Sequence, residues 1–100
     1  MTKKITPSTG NVFEDLGFSK EEAENLRVRS VLMGNLRSII EEEGLTQAQA
    51  AKLFGVSQPR VSDLVRGKIE LFSIDALVNM LGSAGRHVDV AIQPPTHEAA

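Results

Sequence analysis

One hundred residues, 41% apolar and 24% charged, make a single domain with enough hydrophobic content for one core, and that balance excludes disorder as the default state. The absence of cysteine excludes disulfides and thiolate metal sites. A formal net charge of −2 excludes a uniformly basic surface, although a local basic island still tracks phosphates, because salt screens charges beyond roughly 8–10 Å.

The chain opens with Lys3-Lys4, and no apolar stretch follows the basic pair, so no signal peptide is expected. Apolar runs such as Val31-Leu32-Met33 fall far short of the ~20 residues of a membrane span, and the expected location is the cytoplasm. The first helix signal is Ser19-Lys20-Glu21-Glu22, a capping box in which Ser19 accepts from the amide of Glu22 and Glu22 reaches back. Apolar Val28, Leu32, Leu36, Ile39 and Ile40 recur at helical spacing down to Glu43, and Gly44 is the expected stop, which predicts one long helix over 20–43. The Glu41-Glu42-Glu43 run reads as a solvated helix end.

Residues 45–67 carry the most information. Thr46 and Gln49 form a second capping box, and the helix they open lasts only until Gly55, a residue free to take positive φ and reverse the chain. Ser57 is the expected cap of the next helix, Pro59 sits in its first turn at little cost, and Gly67 ends it. Two short helices joined by a tight glycine turn predict a helix-turn-helix, with Ala51 at the close approach and Phe54, Val56, Val61 and Leu64 in the wedge. Gln58, Pro59, Ser62, Asp63 and Arg66 are left outside on the second helix, with Arg60 flanking. Gln bonds adenine N6 and N7 bidentately and Arg bonds guanine O6 and N7, so this face suits base edges. The competing reading is an αα-hairpin that merely packs. Residues 44–69 hold Lys52, Arg60, Arg66 and Lys68 against Asp63 alone, a local +3, whereas residues 19–43 carry −2 and residues 70–100 carry −3.

Gln47-Ala48, Ala51, Gly55 and Ser57-Gln58 together resemble the helix-turn-helix of the Xre (lambda/434 repressor-like) family over residues 46–67. The wider span from Asn11 to Ile92 is similar to HigA-like, Xre-type antitoxins paired with a RelE/HigB-like toxin. The resemblance implies a mainly α, repressor-like domain, autoregulation, and a homodimer on a palindromic double-stranded DNA operator. Carried residue by residue, it places Ser57, Gln58, Pro59 and Asp63, with Ser62 beside them, toward bases. Gln47, Arg60, Arg66 and Lys68 take or adjoin the phosphate-facing positions. Two positions depart from the family pattern. Pro59 offers only apolar contact, as to a thymine methyl, and Asp63 either accepts from cytosine N4 or neutralises Arg60 or Arg66.

Ser73 is the expected cap of a further helix over 74–81, with Leu77, Val78 and Leu81 facing inward and the Gly82–Gly85 segment breaking it. His87 to Gln93 then alternates, with Val88, Val90 and Ile92 on one face, and predicts a short strand stopped by Pro94-Pro95. Its mate is either the N-terminal arm around Ile5 or Val12, or the same strand of a second copy across a two-fold axis, the arrangement that makes Val88, Val90 and Ile92 a dimerisation edge. The expected organisation is an N-terminal arm at 1–18, a DNA-binding domain at 19–82, and a C-terminal strand and tail at 83–100. His87 and His97 lie in no metal or nucleophile spacing, and Gly82-x-x-Gly85 is a turn without a phosphate-cradle context, so neither an enzyme nor a cofactor is expected. Two functions stay open: a sequence-specific repressor that serves as an autoregulatory antitoxin, and a protein-interaction module that mainly neutralises a toxin.

Overall fold

A computed structural model describes residues 11–95. Five α-helices and one 3-10 turn follow in order: α1 (Val12–Asp15), α2 (Lys20–Glu43), α3 (Gln47–Phe54), α4 (Gln58–Val65), the 3-10 turn Ile69–Leu71, and α5 (Ile74–Ser83). Local chemistry sets most of their ends. Ser19, Thr46 and Ser73 each accept a hydrogen bond from the backbone N–H three residues on, and Thr46 with Gln49 completes a reciprocal box. Ser57 is an N-cap by backbone conformation alone, because its hydroxyl makes no capping bond.

The chain reverses between α3 and α4 through Gly55, whose φ of 70° is left-handed. There the Gly55 and Val56 amides donate to the carbonyls of Lys52 and Ala51, closing a Schellman motif. A Cβ at Gly55 would stand 3.2 Å from Ser83 Oγ, and that hydroxyl donates to the Leu53 carbonyl at 2.8 Å. Glycine therefore serves both the turn and the close approach of α5.

The core lies where α2, α3, α4 and α5 converge. Leu36, Phe54, Val61, Leu64, Phe72 and Leu77 are its largest fully buried side chains. No polar or charged residue is buried among the described residues, so apolar burial carries this fold, with no network of buried ion pairs. Leu32, Leu36 and Ile39 are buried on α2 as their spacing predicts, joined by Met33. On α5 the inward residues are Leu77, Met80 and Leu81. Val78, expected inside, is 37% exposed, because three- and four-residue steps from Leu77 select Met80 and Leu81 instead.

The termini depart most from the sequence reading. Val12, one suggested strand mate, lies in a helix: Asn11 accepts from the Phe13 and Glu14 amides and so caps α1. The other suggested mate, Ile5, lies outside the described residues. No strand forms among the described residues, and His87–Gln93 has no regular secondary structure. The alternating pattern is there, but a strand needs the ladder hydrogen bonds of a neighbour, and no described segment of one chain supplies them. Among the described residues no helix is long and apolar enough to cross a membrane.

Candidate nucleic-acid interface

At about 100° per residue, the buried pair Val61 and Leu64 fixes how α4 presents the rest of its surface. Pro59, Ser62, Asp63 and the following Arg66 fall on the opposite side, and Gln58, about 60° from Val61, lies on the edge away from Arg60. Gln58, Pro59 and Arg66 are exposed, and Ser62 and Asp63 are half-buried. Ser57 is exposed at the leading end, and Gln47 is exposed at the start of α3. The structure thus brings the residues expected to face bases onto one accessible polar strip.

Arg60 lies about 40° from Leu64 on the flank of that strip, and its guanidinium turns inward. Nη1 donates to the Leu71 carbonyl at 3.0 Å, and the group sits 4.4 Å from the Phe72 ring centroid, a cation–π contact. Arg29 reaches the same turn from α2, donating to the carbonyls of Ile69 and Phe72 at 3.1 and 3.3 Å while its Nε holds Asn25. Two arginines from different helices therefore grip residues 69–72 and fix the bearing of α4 against α2. Sequence reading missed Arg29, whose carbonyl partners lie some forty residues away with no local spacing to betray them.

Asp63 pairs with neither arginine suggested for it. Its nearest cation is Lys68 at 4.0 Å, a loose surface contact, because the chain turns back at Gly67 and the Lys68 amide donates to the Asp63 carbonyl. The Arg66 backbone amide donates to the Ser62 carbonyl, but its side chain makes no hydrogen bond or ion pair among the described residues, which leaves the guanidinium donors available. The turn also gathers a cation from outside the segment: Arg37 Nη1 lies 3.6 Å from where a Cβ on Gly67 would sit. Arg37, Arg66 and Lys68 thus cluster at the C-terminal end of α4 within an otherwise acidic chain.

Residues 12–93 match the family model of a helix-turn-helix domain. The chain belongs to this helix-turn-helix family. The chain is 33% identical to a solved structure described as a "Putative XRE Family Transcriptional Regulator", with a TM-score of 0.69 over 79% of this chain and 91% of the other. It is also 28% identical over 89 residues to an uncharacterized HTH-type transcriptional regulator of Haemophilus influenzae, covering 87% of this chain and 90% of that one. The family match takes in every helix from α1 to α5. The chain is a transcriptional regulator with a helix-turn-helix DNA-binding domain, and the class is non-enzymatic.

Proposed function

We propose that the regulator is a dimeric, sequence-specific repressor whose α4 enters the major groove of a pseudo-palindromic operator. The observation that carries this reading is the accessible strip on a helix whose other face is locked into the core. Ser57, Gln58, Pro59, Ser62 and Asp63 face bases, with Gln58 at the leading end suited to adenine. Gln47, Arg66 and Lys68 contact phosphates, joined by Arg37. Arg60, also expected at phosphates, adjoins them but acts through the turn it grips.

A dimer is supported by the C-terminal segment, where Val90 and Ile92 are 82% and 90% exposed in the single chain. Antiparallel pairing of His87–Gln93 with its copy satisfies that backbone and covers those side chains. The likeness to Xre-type antitoxins supports autoregulation in the cytoplasm together with a RelE/HigB-like toxin as partner. The alternative, a module that mainly masks a basic toxin, draws on the acidic charge of residues 19–43 and 70–100.

Mobility shift on the regulator's own upstream DNA at two salt concentrations tests the primary reading. Wild type should prefer that DNA over a scrambled duplex and weaken as salt rises, and Gln58→Ala should lose about 1–3 kcal/mol of the preference while keeping non-specific binding. Equal affinity of wild type for both duplexes contradicts the reading.

A further inference from the structure

Ala23 is fully buried yet stands apart from the core cluster, so it belongs to a second, smaller packing unit. That unit is α1 laid on α2, with Phe13 and Phe18 edge to face at 6.4 Å between ring centroids. Arg29, where α2 meets the 69–72 turn, comes nine residues after Lys20, so the start of α2 lies about 13 Å further along the helix axis. The unit forms a knob, and its outer surface is apolar: Val12 is 61%, Leu16 69% and Phe18 43% exposed. The surrounding segment, residues 11–27, carries Glu14, Asp15, Glu21, Glu22 and Glu24 against Lys20 and Arg27, a net −3, with Arg27 paired to Glu24 at 2.7 Å.

An apolar centre with a mainly acidic rim is a recognition surface, and its charge selects the occupant. DNA and anionic membranes are repelled. A second copy docked face to face would set the same carboxylates against each other. A cationic protein surface satisfies both features, since its basic groups meet the rim while its apolar side chains cover Leu16 and Phe18.

We propose that α1 and the first turn of α2 form a docking knob for a basic protein partner, with Leu16 and Phe18 as anchors and Glu21 and Glu22 as the charged rim. The proposal rests on the reading that the regulator has a basic partner, and it adds the surface that holds it.

The test places a benzoylphenylalanine photo-crosslinker at Leu16 of the full chain in its native cells. The captured protein is identified, purified and titrated against the uncrosslinked regulator. The expected adduct is a protein of net positive charge. Its affinity should fall at least tenfold with Leu16→Ser and several-fold with Glu21→Gln plus Glu22→Gln, while operator binding of these variants stays within twofold of wild type. All three positions are exposed, and the Ser19 cap uses the Glu22 backbone amide, which Gln retains. Adducts to a second copy, to residues 1–10 of the same chain or to an acidic protein overturn the proposal, as do the absence of an adduct and a partner indifferent to Leu16→Ser. A basic partner without toxicity retains the knob and removes the antitoxin reading. A toxin that binds Leu16→Ser as tightly as wild type does the reverse.

Discussion

Arg60 and Arg66 differ by six positions and by what their guanidinium groups touch. Arg60 binds the Leu71 carbonyl and the Phe72 ring, both within its own chain, whereas Arg66 faces solvent beside the proposed groove. Truncation should therefore separate them. Arg60→Ala removes a hydrogen bond of the charged type and a cation–π contact, so thermal unfolding should show a loss of about 1–3 kcal/mol. Its DNA binding should weaken through the displaced helix, with the salt slope nearly unchanged. Arg66→Ala should leave the melting curve in place, weaken all DNA about equally, and lower the salt slope by about one. The reverse pattern, a salt-slope change for Arg60 and a stability loss for Arg66, would refute this division of labour. Composition and helical spacing place both residues on or beside the polar face; only long-range contacts tell them apart, so this distinction was hidden in the sequence.

At the scale of elements, what was legible depends on where the deciding interactions lie. Thr46, Gln49, Ser19, Ser73 and Gly55 act within a few residues of themselves, and the helix bounds they predict are the ones found. Val78 misled because its neighbours Leu77 and Leu81 are apolar, and the register of α5 turns it outward in favour of Met80. The segment at His87 has the alternation of a strand, yet alternation specifies a face and supplies no mate. The polar strip of α4 was legible because Val61 and Leu64 alone orient that short helix. Capping also supplies a stability comparison. Thr46→Ala removes a reciprocal pair of hydrogen bonds at 2.8 and 3.1 Å and should cost about 1 kcal/mol in denaturant unfolding. Ser57→Ala removes a hydroxyl without a capping bond and should cost less, while any effect on DNA affinity reports its place at the groove. A larger stability loss at Ser57 than at Thr46 would show that the Ser57 hydroxyl caps after all.

For the whole molecule, every residue of the core cluster precedes Arg86, and the segment beyond carries Val90 and Ile92, the most exposed large apolar side chains among the described residues. Arg86 itself reaches back to Glu43 at 2.9 Å, a surface pair worth little to stability. Removal of residues 86–100 should thus leave a folded monomer, seen as native circular dichroism at somewhat under half the sedimenting mass of the wild-type dimer, with operator affinity much reduced. A truncated protein that still sediments as a dimer would place the two-fold contact elsewhere. The basic end of α4, the acidic knob and the exposed C-terminal segment then form three surfaces with three proposed partners: DNA, a cationic protein and a second copy. The central claim, that the outward face of α4 reads the major groove, is tested most directly by methylation protection. Wild type should shield guanine N7 in two half-sites about 10 base pairs apart, and Gln58→Ala should lose that protection at concentrations where non-specific binding persists. Protection confined to the minor-groove N3 of adenine, or a pattern indifferent to Gln58, would contradict it.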